Sequence, residues 1–196
     1  MRIVGGRWRG RKLASGAGHF RPTAERIRET LFDILAHNPA YAGAAGPAPD
    51  GMTVLDGFAG SGAFGLEALS RGARAAIFLE KDAEAMAVLG ANVASLDISA
   101  EAQILRRDAV NPGRPPLLRA DLVFLDPPYG KGLAPRALLG LAQAGWLASG
   151  ALVIAEMAAT EDETPPPGFA LLDSRRYGDT KIAFWRAAPD GSFATE

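Results

Sequence analysis

Two short stretches of this 196-residue chain carry residue types and spacings that could do chemistry. The first is Asp56-Gly57-Phe58-Ala59-Gly60-Ser61-Gly62-Ala63-Phe64-Gly65. Gly60, Gly62 and Gly65 match G-x-G-x-x-G, a spacing that lets the backbone turn tightly and lets a ligand approach it. A helix N-terminus beyond would offer unpaired N–H groups. Taken alone, the triplet fits a plain strand-to-helix turn equally well. Glu80, at the expected end of a second strand, changes the balance, because a carboxylate there can hold ribose hydroxyls. Together they point to a nucleoside ligand without saying which. A dinucleotide would set its pyrophosphate against the glycines. S-adenosylmethionine has no phosphate but carries an ammonium group, which suits Asp56; a pyrophosphate beside Asp56 would be repelled. The methyl donor is the expected ligand.

The second stretch is Asp126-Pro127-Pro128-Tyr129, directly after the apolar run Leu122-Val123-Phe124-Leu125. Two prolines fix φ and remove two N–H donors, so this backbone presents carbonyls. A carboxylate beside a rigid carbonyl makes an acceptor pair for an exocyclic NH₂ group, and the tyrosine ring can stack on the base that bears it. A nucleobase amine is a poor nucleophile because its lone pair is conjugated into the ring. Hydrogen bonds from both protons to Asp126 and the Pro127 carbonyl favour a pyramidal nitrogen that can attack a methyl sulfonium. Positioning and desolvation would supply most of the rate. The expected catalytic set is Asp126, Pro127, Pro128 and Tyr129.

Composition narrows the alternatives. There is no cysteine and there are two histidines, His19 and His37. Disulfides, thiolate zinc sites, iron–sulfur clusters and cysteine nucleophiles are thereby excluded, and no protein-bound metal is expected. No apolar run approaches the ~20 residues needed to span a bilayer; residues 151–159 come nearest and are interrupted by Glu156. With arginines in place of a signal-peptide apolar region, a cytoplasmic protein is expected. The net charge of −1 hides an asymmetry. Residues 1–28 hold eight basic residues and one acid, a net of +7, whereas the other 168 hold 13 basic and 21 acidic, a net of −8. Arg2, Arg7, Trp8, Arg9, Arg11 and Lys12 are the candidate nucleic-acid contacts, cations for phosphates and an aromatic for stacking. The alternative is a solvated basic tail.

Elements to position these residues are legible along the chain. A basic arm (residues 1–22) reads as two short strands flanking a turn, 2–6 and 11–13. A helix follows over 23–38, with Thr23 as N-cap and Glu25 in its first turn. Residues 39–51 form a Pro/Gly/Ala loop that separates the arm from the main domain, 52–188, and 189–196 form a tail. Strands are expected at 53–56, 75–80, 102–106, 121–125 and 151–156. Helices are expected at 63–71, 82–96 and 134–144, and a closing hairpin at 170–176 and 181–186. This alternation means an α/β, Rossmann-like, mostly parallel sheet with helices on both faces and an antiparallel edge. If strands one and four are neighbours across the switch point, Asp56 and Asp126 share one crevice.

The chain resembles the RsmD-type methyltransferases, which methylate N2 of a guanine in small-subunit ribosomal RNA. The likeness runs through residues 2–13, Arg21-Pro22-Thr23, Arg26-Ile27-Arg28-Glu29, 56–71, Asp126 to Tyr129 and Tyr177-Gly178-Asp179-Thr180. The glycine loop and Asp-Pro-Pro-Tyr are shared by many amino-methyltransferases; the arm is the specific part. The resemblance implies a seven-stranded class I methyltransferase fold with donor contacts at Asp56, Gly57, Phe58, Gly60 and Gly62. It further implies ribose contact at Glu80, adenine contact at Asp108 and Ala109, and donor-site lining by Arg21 and Thr23. The implied partner is small-subunit rRNA within an assembling 30S particle, bound by a monomer. DNA adenine-N6 methylation is the nearest alternative, and it lacks a target-recognition domain here. A nicotinamide-dependent dehydrogenase leaves Asp-Pro-Pro-Tyr unexplained.

Overall fold

The computed structural model describes residues 1–15 and 22–189. Seven strands form one sheet: β1 (Thr53–Asp56), β2 (Ala75–Glu80), β3 (Ala102–Arg106), β4 (Ala120–Leu125), β5 (Leu147–Ala158), β6 (Phe169–Tyr177) and β7 (Thr180–Ala187). Their order is β3-β2-β1-β4-β5-β7-β6, with β1 to β5 parallel and β7 antiparallel to both its neighbours. The helices are α1 (Pro22–His37), α2 (Ala63–Ser70), α3 (Ala83–Leu96) and α4 (Leu133–Gln143). Among the described residues no helix is long and apolar enough to cross a membrane.

The central strands are apolar on both faces through their middles, with polar residues only toward their ends, because both faces are covered. Val54, Phe78, Leu122, Phe124 and Ile154 face a core completed by α1, α2 and α3. Their neighbours Leu55, Ile77, Val123, Leu125 and Val153 face a second core built with α4 and Trp146. Phe64 of α2 stacks on Phe124 of β4 with centroids 4.0 Å apart, and Phe32 of α1 meets Phe64 at 4.8 Å. From residue 22 onward the expected strands and helices are therefore present, with three differences. The helix expected to be capped by Thr23 begins at Pro22, where proline's fixed φ and missing N–H suit the first turn. β5 begins at Leu147 rather than 151: Gly150 and a register shift opposite Ala120 and Leu122 let the strand continue through Ser149. Residues 39–51 are more than a linker, since Tyr41 is fully buried and stacks on Phe184 of β7 at 5.1 Å.

The basic arm is not a tail. One bridge, Arg2 to Lys12, replaces the two expected strands, and a 3₁₀ turn at Gly6–Trp8 links its sides. Ile3 and Leu13 are buried in the first core. The fully buried Glu67 of α2 accepts the N–H groups of Val4 (2.9 Å) and Gly5 (2.7 Å) and the Arg71 Nε–H (2.8 Å). Arg28 of α1 lies 3.7 Å from the same carboxylate and donates to the Arg2 carbonyl at 2.7 Å. Ser70 receives the Trp8 N–H and donates to the Gly5 carbonyl. A side chain on Gly6, at φ +72°, would collide with the Ser70 carbonyl, so the arm lies backbone-on against α2. Removing the Glu67 carboxylate strands the buried Arg28 and two N–H groups together. The Glu67→Ala variant is expected to lose about 3–5 kcal/mol of stability by urea unfolding, with faster amide exchange at Val4 and Gly5.

Candidate active site

β1 and β4 are hydrogen-bonded neighbours in parallel register, Asp56 opposite Phe124, and the Gly57 N–H adds a further rung to the Phe124 carbonyl at 2.9 Å. The glycine loop and Asp-Pro-Pro-Tyr therefore leave the sheet side by side. β1 is also where the strand order reverses, with β2 and β3 on one side and β4 and β5 on the other. Such a switch point is where open α/β sheets take ligands.

The loop closes on itself before α2 starts. Gly62, at φ +82°, is the α2 N-cap, and its N–H reaches the Ala59 carbonyl at 2.7 Å. A methyl group on Gly65 would meet the Phe78 ring at 2.4 Å, so the glycine sets how closely α2 approaches β2. Gly57 is packed against Leu125, and Phe58 lies half-buried on the second core. Asp56 is buried and receives the Gly65 N–H at 3.1 Å. Burial pushes its carboxyl up to about 7; the Gly65 hydrogen bond opposes that rise and the charge of Glu80 adds to it.

Glu80 ends β2 and works as a clasp. One of its oxygens accepts the Gly60 N–H at 2.8 Å, and the other accepts the N–H groups of Lys81 (2.8 Å) and Asp82 (2.9 Å). β2 pairs with β3 through Glu80 and Arg106, which brings Asp108 and Ala109 into the neighbouring turn. Asp108 accepts the Lys81 ammonium at 2.9 Å and the Val110 N–H at 3.0 Å, and chiefly the Lys81 hydrogen bond holds its carboxyl below the usual range. Ala109 is buried. Asp56, Gly57, Phe58, Gly60, Gly62, Glu80, Asp108 and Ala109 thus line consecutive strand ends. Thr23 falls in α1, and Arg21 lies outside the described residues, as do His19 and Phe20.

On the other side of the switch point, Asp126 is exposed, Pro127 buried and Pro128 exposed. The Tyr129 hydroxyl donates to Glu156 of β5 at 2.7 Å and meets the Thr180 hydroxyl of β7 at 3.0 Å. Its pKa is raised by burial first, with the Glu156 and Asp126 carboxylates acting in the same direction, so the phenol stays neutral. Glu156 was readable only as an acid breaking an apolar run. That acid lies two residues before the C-terminal end of β5, a largely buried strand, and an acid so placed is the signal that marks it. Thr180 explains why Tyr177-Gly178-Asp179-Thr180 belongs to the pattern: the turn delivers a hydroxyl to Tyr129.

The arm's cations are distributed along its docked backbone. Arg2 pairs with Glu25 at 2.7 Å, Arg7 with Glu101 at 3.7 Å, and Arg11 donates to the Ser95 carbonyl at 3.0 Å. Arg7 also covers the Trp8 ring at 3.9 Å, while Arg9 and Lys12 are exposed. Trp8 abuts Ser70 at the far end of α2, so the arm's turn lies about 12 Å from the glycine loop, one eight-residue helix away.

Asp56 makes stability depend on pH. Its folded value lies above its ordinary 3.8, so the folded state holds an extra proton between the two. Its contribution to stability is full in acid, declines from about pH 4 to about pH 7, and levels off above that. Asp56→Asn is expected to remove this decline. Urea unfolding of both proteins across that range should show the wild type losing ground to the variant by up to about 4 kcal/mol.

The chain is similar to known proteins along nearly its whole length. The model of a family described as Conserved hypothetical protein 95 matches residues 1–186. Ribosomal RNA small subunit methyltransferase D of Haemophilus influenzae is 37% identical over 185 residues, covering 91% of this chain and 89% of that protein. The Escherichia coli protein of the same name is 40% identical over 161 residues, covering 80% and 74%. The solved structure of yhhF from Escherichia coli gives a TM-score of 0.80 at 36% identity, covering 96% of this chain and 98% of that one. The family model over residues 1–186, near-complete overlap with these relatives and a seven-stranded class I sheet place the chain in that family, the RsmD family of methyltransferases.

Proposed function

We propose that this protein transfers a methyl group from S-adenosylmethionine to the exocyclic N2 amine of a guanine in small-subunit rRNA. It would act as a cytoplasmic monomer on the assembling 30S particle, without a bound metal. The observation that carries this is the β1–β4 pairing, which leads the loop after Asp56 and the loop that begins at Asp126 out of the sheet side by side; this supports reading the first as the donor loop and the second as the acceptor loop. The relatives' names support rRNA as the substrate. The likeness of the arm and of Arg26-Ile27-Arg28-Glu29 to the guanine-N2 family supports the base and the atom.

The residues present fit the donor. Asp56 is a buried carboxylate held near neutrality by burial, and an ammonium beside it restores its charge. Gly60 has open space where a side chain would stand, so a ligand can lie on the loop backbone. Glu80 already accepts three N–H groups of the roughly four hydrogen bonds a carboxylate can take, which leaves one ribose hydroxyl a direct bond. The second must take the place of an N–H. Asp108 and Ala109 border the adenine position. When bound, S-adenosylmethionine supplies an electrophilic methyl group on a sulfonium.

The acceptor loop supplies the rest. Asp126 and the Pro127 carbonyl hold the two amine protons and turn the nitrogen lone pair toward the donor side. Tyr129 offers its ring to the base, and its tether to Glu156 and Thr180 fixes the ring's orientation. A neutral phenol and a fixed ring suit stacking rather than proton transfer.

Incubation with methyl-labelled S-adenosylmethionine and unmethylated small subunits, naked rRNA or duplex DNA, followed by nucleoside mass spectrometry, should yield N2-methylguanosine from RNA. N6-methyladenine from DNA would overturn the substrate and keep the site. Asp126→Ala is expected to lower turnover by at least about a hundredfold, with donor affinity within twofold of wild type by calorimetry. Asp56→Asn should instead weaken donor binding by about tenfold to about a hundredfold, the worth of one charge-assisted hydrogen bond.

A further inference from the structure

Asn92 of α3 is 2% exposed and lies in none of the motifs described above. Its side-chain amide makes three hydrogen bonds to two separate segments. The oxygen accepts the Ala14 N–H at 2.7 Å, and the nitrogen donates to the Ala14 carbonyl at 3.0 Å and to the Ser61 carbonyl at 2.9 Å. Ala14 belongs to the arm, 78 residues away in sequence, and Ser61 to the glycine loop, 31 away. One amide thus reads both backbone groups of an arm residue, as a neighbouring strand would, while gripping the loop between Gly60 and Gly62.

Other contacts run the same way. Leu89, one helical turn before Asn92, packs against Gly62, where a side chain would meet its Cδ1 at 2.3 Å. The Ser61 hydroxyl reaches the Met1 sulfur at 3.9 Å, a second contact between loop and arm. Ser95, the next turn on, bonds the Asn92 carbonyl with its hydroxyl and takes Arg11 on its own carbonyl. A buried amide left with any of these bonds unmade costs about 1–3 kcal/mol, so loop and arm are held in one arrangement or released together.

We infer that Asn92 is a positioning residue that couples the arm to the donor loop, so that filling the loop tightens the arm and docking the arm tightens the loop. This rests on the proposed function in taking residues 56–65 as the donor loop. Such coupling is reciprocal and amounts to about fivefold to about 150-fold in affinity.

The test uses the full chain, S-adenosylhomocysteine as the probe, calorimetry for its affinity and amide exchange at Leu13, whose N–H bonds to the Met1 carbonyl within the arm at 3.0 Å. In the wild type, saturation with the probe should slow exchange at Leu13 by about fivefold or more. Asn92→Ala should weaken probe binding by at least about fivefold and abolish that response. Ala14→Pro removes the N–H that Asn92 accepts, fixes φ at residue 14, and leaves the Asn92–Ser61 bond in place. It should weaken probe binding in the same direction and blunt the response at Leu13, with the circular dichroism of the folded chain retained. A purely structural Asn92 would lower stability without touching the donor-dependent exchange. Weakened binding in Asn92→Ala alone, with Ala14→Pro like the wild type, would overturn the coupling, since Asn92 would then act through Ser61 only. Wild-type affinity in both variants would overturn it as well. A wild type that does not bind the probe would overturn the proposed function, and the coupling with it.

Discussion

The rung between the Gly57 N–H and the Phe124 carbonyl is the last point at which β1 and β4 are held together, and both halves of the candidate site diverge from it. Upstream, the strands are apolar on both faces, so a slip of one residue would exchange every side chain between two cores. Register is therefore fixed by packing, and packing fixes the relative placement of Asp56 and Asp126. The antiparallel strand completes the arrangement. β7 enters between β5 and β6 and pairs Thr180 with Ala158, so its first residue stands at the C-terminal end of β5 beside Tyr129. A parallel seventh strand would have carried Thr180 to the opposite edge.

Two buried carboxylates on the same side of the sheet have opposite surroundings. Glu67 sits among two backbone N–H groups and the guanidinium of Arg71, with that of Arg28 close by; its charge is satisfied within the chain and serves to hold the arm. Asp56 receives the Gly65 N–H and feels Glu80 as a second negative charge, and burial lifts its pKa to about 7. Desolvation without a cation is costly, and positions that keep such a group are commonly functional. Glu67 is structural by this criterion, and Asp56 fits a cationic ligand.

The fold was legible because its signals are local. Apolar runs at 53–56, 75–80 and 121–125 are strands buried on both faces, and the glycine loop sits between a strand and a helix as its spacing requires. What could not be read depended on partners distant in sequence. Counting charge in residues 1–28 suggests a nucleic-acid-binding arm or a solvated tail and says nothing of how the arm docks; the group that holds its backbone is Glu67, the one acid of α2, more than 60 residues beyond Val4. Tyr41 in an Ala/Pro/Gly-rich stretch carries no periodicity, and its burial comes from Phe184. Glu156 and Thr180 are likewise legible as residues but not as partners of Tyr129, since that contact exists only once β5 and β7 are paired. Asn92 is hidden for the same reason, as an ordinary polar residue in a helix until Ala14 and Ser61 are brought to it.

The docked arm also resolves a tension in the charge count. Part of the positive charge of residues 1–28 is engaged within the chain: Arg2 with Glu25, Arg7 with Glu101, and Arg28 of α1 with Glu67. These engagements differ in kind. Arg28 and Glu67 are buried, and neither can exchange partner without leaving a charge in the interior. The Arg2 and Arg7 side chains are more than half exposed although their acids are less so, and ion pairs with one partner in solvent are worth little, about 1 kcal/mol for fully exposed pairs. A phosphate can replace the Glu101 carboxylate at Arg7 at little cost. The arm therefore consists of a fixed backbone, held through Ile3, Val4, Gly5, Leu13 and Ala14, and a set of exposed cations, Arg2, Arg7, Arg9, Arg11 and Lys12, that can turn to a polyanion without the backbone moving. On the proposed reading of the arm as an RNA contact, a disordered basic tail would lose conformational entropy on gripping RNA, whereas residues 1–15 have already lost it on folding.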